Sequence, residues 1–407
     1  MKYLRNAVII MAKIKKIIAL VPAYFGYSGS AVNERQFLKA LARKCDKLYV
    51  ITPIRFSYIR IIKLSLKDKE KNMVILPLPL PPRVTRLLTI LSFLSISYIC
   101  ALLLLIADKL SKIDLIYVRG SWLAIGFTMF RRLRSKLLVK IPSLIEMELV
   151  EKTLTSQIIK WLTNILDRAV ILKSRWTAAP TLDATLAIEA KRKAKPLEQW
   201  VILPPGIDYH KITKIRKKTR KKLRKKSVLC VGFLGSLYWW QGVDILVKAI
   251  AILKNRGLKS IELIIVGDGP ERRKILQLCE KLKVLCKIYG YVPHEKALSI
   301  LSTFDIMVVP SRKFSSKEYS LPIKIIEAWA LGVPIIATKH KVFDTFNIKH
   351  KVHIMYCDAN PESIANTLER LIREKKLMLT LRKNGPKIAR TFDYSVIADH
   401  VVKLLTS

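Results

Sequence analysis

Two carboxylates, Glu318 and Glu327, stand nine positions apart in the stretch EYSLPIKIIEAWALGVPIIAT, in a chain whose charge is otherwise overwhelmingly cationic. Between them Pro322 suits the first turn of a helix, where the amide hydrogen it lacks has no intrahelical acceptor, and Gly332 followed by Pro334 reads as the stop. Glu327 then falls about five residues into that helix, roughly 7.5 Å along it, with Glu318 in the loop before. Free NH groups at a helix start attract phosphate, and carboxylates accept hydrogen bonds from hydroxyls. One elongated ligand with a phosphate, a diol facing Glu327 and a second hydroxylated group facing Glu318 fits the whole stretch. Glu327 has apolar neighbours in Ile325, Ile326 and Ala328, which favours a ligand role over a surface pair with Lys324. Lys317 is the competing partner for Glu318.

Upstream lie two further turns suited to anions. SVLCVGF, 227–233, reads as a strand; Gly235 and Ser236 occupy the loop after it, and a helix follows from about Val243 to Asn255. Ile261 to Val266 reads as the next strand and ends in Gly267, Asp268 and Gly269, where a plain strand-ending turn is an equally good account. KIYGYVP, with Tyr291, and FDIMVVPS, ahead of Arg312, come next. In an open α/β sheet, ligands bind outside the carboxyl ends of the strands, which is where all these loops fall.

The elements that must position these residues alternate between short apolar runs and amphipathic helix-length segments through most of the chain, so the fold class is α/β with parallel sheets. In the first half, Lys15–Ala23, Lys47–Pro53 and Ile113–Gly120 read as buried strands of one sheet. A break near residue 205 leads into Lys211–Lys226, where eleven of sixteen residues are basic; this is a polyanion-binding stripe or a solvated loop or frayed helix. The chain has 407 residues, 74 Lys and Arg against 30 Asp and Glu, and a formal charge of +44, which attracts polyanions without specifying a fold. Six scattered cysteines read as buried reduced thiols of an intracellular protein, and none has zinc-ligand spacing. All six histidines lie at His210 or later, so the first half offers no imidazole base.

The run Leu87–Ala107 is 21 uncharged residues, long enough to span a bilayer. Strands of one sheet on both sides of it argue instead for a core helix or one lying in the membrane interface. The expected location is cytoplasmic and peripherally membrane-associated.

The ordered motifs VGFLGSLYWWQGVDILVKAI, IIVGDGP, IYGYVP, FDIMVVPS and EYSLPIKIIEAWALGVPIIAT cover about 110 residues, and in that order and spacing the second half resembles the nucleotide-binding domain of glycosyltransferase family 4. The first half fits more loosely, through VPAYFGYSGSAVNERQFLKALA, IYVRG, LIEME and ILPPGID. The resemblance implies a GT-B fold: an acceptor-binding Rossmann-like domain at 1–205, a nucleotide-sugar-binding one at 206–387, and a terminal helix at 388–407 returning to the first. It implies a retaining hexosyltransferase-type enzyme that moves a sugar from a UDP- or GDP-linked donor to a glycan or lipid-linked acceptor, with an anionic membrane surface as partner, no specific nucleic acid and no cofactor or metal. Glu327 would hold the ribose hydroxyls and Glu318 the donor sugar. Gly235, Ser236, Gly267, Asp268, Gly269, Tyr291, Ser320 and Leu321 would line the donor site, while Gly26, Gly29 and Glu146 would face the cleft. Three departures stand out, one of them the absence from the first half of the histidine often found in that domain. Eight residues separate the glutamates where the family usually has seven, and the usual diphosphate-binding arginine and lysine correspond to Phe233 and Gln241, leaving Lys324 or Arg312 as substitute cations. A non-catalytic polyanion-binding scaffold and a nucleotide-sugar epimerase are the alternative readings.

Overall fold

Apolar runs rich in Ile, Leu and Val pair in parallel to build two separate sheets. The computed structural model describes residues 14–22, 24, 29–55, 69–80, 86–141, 154–192, 196, 199–220, 228–258, 260–312, 318 and 320–406. The first sheet contains β1 (Ile14–Leu20), β2 (Cys45–Arg55), β3 (Met73–Leu80), β4 (Leu115–Arg119), β5 (Leu137–Lys140), β6 (Trp176–Ala179) and β7 (Trp200–Ile202), in the order β3-β2-β1-β4-β5-β6-β7. β1 sits between β2 and β4 and pairs with both in parallel, so the three runs read from the sequence join one sheet. β3 carries Pro77 and Pro79, and its edge position in the sheet accommodates their missing donors.

Helices cover both faces of this sheet. Gly29–Ala42 and the last helix, Tyr394–Thr406, enclose one core with Phe37, Leu41, Tyr394 and Ile397. On the other face lie Arg86–Leu110, the Ser121–Met129 segment, Leu154–Lys173 and Leu182–Arg192. Arg86–Leu110 contains the long uncharged run. It buries Ser97, Cys100, Ala101, Leu104 and Asp108 on one side and exposes Leu102, Leu103 and Ile106 on the other, so it is neither a wholly buried core helix nor a free one.

The second sheet contains β8 (Leu229–Leu234), β9 (Ile261–Val266), β10 (Cys286–Ile288), β11 (Ile306–Val309), β12 (Ile335–Thr338) and β13 (Met355–Cys357), in the order β10-β9-β8-β11-β12-β13, all parallel. The basic run is not a bare connection. Residues Tyr209–Arg220 form a helix whose Tyr209, Ile212 and Ile215, spaced three apart, pack into the core under Ile323–Leu331. That apolar stripe among the lysines is the physical reason a solvated loop is the wrong reading for this part; residues 221–227 lie outside the described residues. Four cysteines are buried and Cys286 and Cys357 are half-buried, a correction for those two.

The chain crosses between the sheets twice, at neighbouring points. Ile207 NH donates to Phe392 O at 2.9 Å and Tyr394 NH donates to Ile207 O at 2.9 Å. Gly206 is needed there: a Cβ at that position would lie 2.7 Å from the Ile397 side chain. Ile397 thereby ties the outgoing crossing to the returning helix. Replacing it with alanine leaves a cavity at this junction, so Ile397→Ala is expected to lower the unfolding free energy by about 2–4 kcal/mol in denaturant titrations. A loss below about 0.5 kcal/mol, the size of an ordinary surface substitution, would contradict that role.

Candidate functional site

The helix that carries Glu327 spans Ile323–Leu331, with Pro322 as its N-cap residue and Gly332 closing it at φ +73°. The proline therefore stands one position before the first helical residue. Ile325, Ile326, Ala328 and Trp329 pack into the core and draw Glu327 in with them, to 4% exposure. A carboxylate so placed needs a hydrogen-bond donor. His294, the first residue of the helix His294–Leu301, supplies it: Nε2 lies 2.6 Å from Glu327 Oε1, with the ring NH donating. Among the described residues nothing bonds Oε2. The pairing with Lys324 that competed for Glu327 does not form.

Glu318 has a different situation. Its Oε1 lies 2.9 Å from His340 Nδ1 and its Oε2 accepts the Lys341 NH at 2.8 Å. His340 is buried just after β12, with its Nε2 3.5 Å from Thr338 Oγ1. Both carboxylate oxygens thus hold the Glu318 loop to the end of β12. Each glutamate of the pair is held by a histidine, and neither histidine is marked by any motif in the sequence.

Lys324 occupies the place where the sequence departs from the usual pattern. Its Nζ lies over the Phe233 ring, 4.3 Å from the centroid, and donates to Gln241 Oε1 at 3.0 Å. Gly235 leaves room for it, since a Cβ there would come within 3.0 Å of that Nζ. The cation is therefore carried on the glutamate helix instead of on the loop after β8. Arg312, the other candidate cation, is a correction: it forms a two-armed pair with Asp244 at 2.9 and 2.7 Å and also reaches Trp239 O. It clasps the end of β11 to the first turn of Val243–Asn255 and is committed there.

The three loops after β8, β9 and β10 interlock. Gly267, at φ +139°, passes so near Gly235 that a Cβ would meet the Gly235 carbonyl oxygen at 1.9 Å, and a Cβ on Gly269 would meet the Leu237 carbonyl oxygen at 2.6 Å. Asp268 turns inward, accepting from Gly269 NH at 2.8 Å and pairing with Arg272 at 2.8 Å, so its carboxylate shapes the turn. Ser236 is half-buried between these loops, and Ser320 likewise ahead of the glutamate helix. Leu321 points into the core and leaves only its backbone to a ligand. Tyr291 stands 69% exposed beyond Gly290. Gly29 opens the first helix of the first domain, while Gly26 and Glu146 lie outside the described residues.

The first domain contributes a charged cluster that sequence reasoning missed. Glu34, fully buried, accepts from Tyr117 Oη at 2.5 Å, from Arg119 at 3.0 Å and from Lys140 at 3.4 Å, at the carboxyl ends of β4 and β5. Burial pushes the Glu34 carboxyl up, but the charges of Lys140 and Arg119 and the Tyr117 hydroxyl outweigh it and hold it below the usual glutamate range. Burial likewise lowers Lys140. Tyr394 stands between the halves, its buried hydroxyl pushed up by desolvation and by the charges of Glu34 and Glu327.

Two doubly wound parallel sheets, crossed by the chain twice and presenting such loops at their carboxyl ends, make this a protein of the GT-B fold. Anabaena HepE, solved in complex with UDP and glucose, superposes with a TM-score of 0.68 over 96% of this chain and 99% of that one at 17% identity. WaaG, a glycosyltransferase involved in lipopolysaccharide biosynthesis, superposes with a TM-score of 0.68 over 96% and 100% at 16% identity. Residues 211–388 match the family model described as glycosyl transferases group 1. An uncharacterized glycosyltransferase of Methanocaldococcus jannaschii is 30% identical over 212 residues, 50% of this chain and 53% of that protein. The D-inositol 3-phosphate glycosyltransferase of Corynebacterium urealyticum is 24% identical over 219 residues, 51% and 50% of the two chains. The chain spans about half the length of the curated relatives it matches.

The Glu34 cluster makes a pH-dependent prediction. A carboxyl held below its unfolded range near 4.3 contributes stability that is full above that pH and is lost as pH falls through the folded value. Glu34→Gln should cost about 3–5 kcal/mol at neutral pH by stranding Lys140, and should flatten the acid limb of the stability curve. An unchanged acid limb in the variant would rule the cluster out as its source.

Proposed function

We propose that this chain is a glycosyltransferase that moves a sugar from a nucleotide-diphosphate-sugar donor to an acceptor hydroxyl. The observation that carries the proposal is the grouping of Lys324, the Gly235 loop and the open oxygen of Glu327 at the strand ends of the second sheet. HepE holding UDP, UDP-glucose, or UDP with glucose in its structures supports the donor class. Glu327 Oε2 accepts the ribose hydroxyls, and backbone NH groups near Ser236 and Ser320 meet the diphosphate. Lys324 supplies the counter-charge that Phe233 and Gln241 do not, so the reading needs no metal. Glu318, with both oxygens engaged internally, shapes the loop against which the donor sugar rests.

Transfer with retention follows if the leaving diphosphate accepts the proton of the attacking hydroxyl on the reacting face; no histidine of the first half is then needed. The Glu34, Arg119 and Lys140 cluster lies on the acceptor side. A glycan or lipid-linked acceptor and a peripheral cytoplasmic location suit the basic surface and the exposed apolar helix faces.

Incubation with a panel of UDP- and GDP-hexoses and lipid-linked acceptors, followed by NMR of the product anomer, tests the reaction class. Lys324→Met is expected to slow turnover about a hundredfold or more while the fold is retained, because it removes the positive group at the developing diphosphate. Undiminished turnover in Lys324→Met would overturn the assignment of that charge, and an inverted anomer would overturn retention.

A further inference from the structure

The turn between β8 and the helix Val243–Asn255 carries three consecutive aromatic residues, Tyr238, Trp239 and Trp240, and the fold buries none of them. Tyr238 is 41% exposed and Trp239 48%. Aromatic rings bring large apolar areas that folding ordinarily hides, as it hides Leu237 one position earlier. These rings pack on one another instead. Tyr238 lies flat against Trp240, with centroids 4.4 Å apart and planes within 7°, and Trp239 meets Trp240 nearly at right angles, at 6.0 Å and 84°. One short turn thus presents an aromatic surface to solvent.

The turn is held in place from several sides. Gln241 NH donates to Tyr238 O and Arg312 NH to Trp240 O, each at 2.9 Å, while the Arg312 guanidinium donates to Trp239 O and is itself clamped by both oxygens of Asp244. Gly242, at φ +70°, brings the chain so close to the end of β11 that a Cβ would lie 2.0 Å from Pro310 O. An exposed aromatic face that is already ordered binds a ligand at small cost in conformational entropy.

Its place says which ligand. Gln241, the residue after Trp240, receives Lys324, the cation assigned to the diphosphate. His294, which bonds Glu327, follows β10; the Gly235 loop follows β8; Glu318 is bonded to residues just past β12; and the sheet runs β10-β9-β8-β11-β12. A donor with its ribose at Glu327, its diphosphate at Gly235 and its sugar against the Glu318 loop therefore runs from the β10 side toward β12. The aromatic turn is tied to the residues after β11, on the sugar side of the diphosphate, and the nucleobase lies at the other end. A pyranose ring offers a face of C–H groups rimmed by hydroxyls, which stacks on an indole or phenol ring and leaves the hydroxyls to water or to reaction.

We propose that Tyr238 and Trp239 form a carbohydrate-binding shelf: the C–H face of the acceptor's sugar ring stacks on them, and a hydroxyl of that ring is presented to the donor sugar beside the diphosphate. The inference rests on the donor reading given above and adds to it the subsite that selects the acceptor, a pyranoside with one face open. An acceptor hydroxyl on a flexible alcohol gains nothing from the shelf.

The test is saturation-transfer NMR of the full chain with methyl hexopyranosides and methyl N-acetylhexosaminides as probes, with and without UDP or GDP, alongside thermal shifts with the same nucleotides and with UDP-glucose. Trp239→Ala removes the exposed indole and Trp239→Phe keeps a ring face; far-UV circular dichroism and cooperative melting confirm that both fold. Wild type should pass saturation to the ring C–H protons of at least one glycoside. Trp239→Ala should bind that glycoside about tenfold or more weakly, Trp239→Phe should recover most of the affinity, and the nucleotide shifts should be equal in all three proteins. A folded wild type that binds none of the glycosides, or a Trp239→Ala that binds as well as wild type, would overturn the proposal. So would a UDP or GDP shift lost in Trp239→Ala, which would place the indole on the nucleotide, or a loss confined to UDP-glucose, which would assign the shelf to the donor sugar. Failure of the donor reading looks different: no nucleotide shifts the wild type, while glycoside binding is still lost in Trp239→Ala, so the donor site is struck and the shelf stands.

Discussion

A carboxylate buried among isoleucines, alanine and tryptophan is costly unless each oxygen finds a partner, and that constraint organises the second domain. Glu327 cannot be set on the inward face of the Ile323–Leu331 helix without a donor opposite, and the donor comes from His294, at the start of another helix. The pair fixes how those two helices meet. Among the described residues the other oxygen of the carboxylate has no partner. Glu318 shows the contrast: with His340 on one oxygen and the Lys341 NH on the other, it is a fastening between a loop and the end of β12.

The same logic governs the cationic side of the site. Phe233 and Gln241 take no charge themselves, but a flat aromatic face and an amide oxygen are both good company for an ammonium group. Lys324 rests on one and bonds to the other, so a cation is delivered beside the Gly235 loop from a different element. In the first domain Glu34 neutralises part of a comparable concentration of positive charge, and Tyr394 brings the terminal helix within electrostatic reach of both halves. The two domains are joined through backbone bonds between Ile207 and residues Phe392 and Tyr394.

Much of this was legible in the sequence because local signals and fold agreed. The strand-loop-helix order after residue 227 emerged with its boundaries nearly intact: Val243–Asn255 and Ile261–Val266 are as expected, since periodicity, glycine turns and caps all point one way. Glu327 stood out as a carboxylate among apolar neighbours. What was not legible depended on contacts between residues distant in the chain. His294 lies 33 positions from Glu327, His340 lies 22 from Glu318, and Lys324 lies 83 from Gln241; no local pattern marks such pairs. Arg312 was misassigned for the same reason, because its partner Asp244 lies 68 positions away. The helix at Tyr209–Arg220 was hidden by composition: three apolar residues among many lysines suffice to seat it, and a charge count obscures their spacing.

The most direct measurement is the thermal shift of purified wild type and Glu327→Ala with UDP, GDP, ADP and dTDP at fixed salt. A nucleotide present at a hundred times its dissociation constant stabilises the protein that binds it by about 2.7 kcal/mol. One of the four should raise the melting temperature of the wild type and leave the variant unmoved, placing the nucleoside diphosphate on the open oxygen of Glu327. Equal shifts in both proteins, or none in either, would contradict the account and favour a scaffold that binds polyanions through its charge alone.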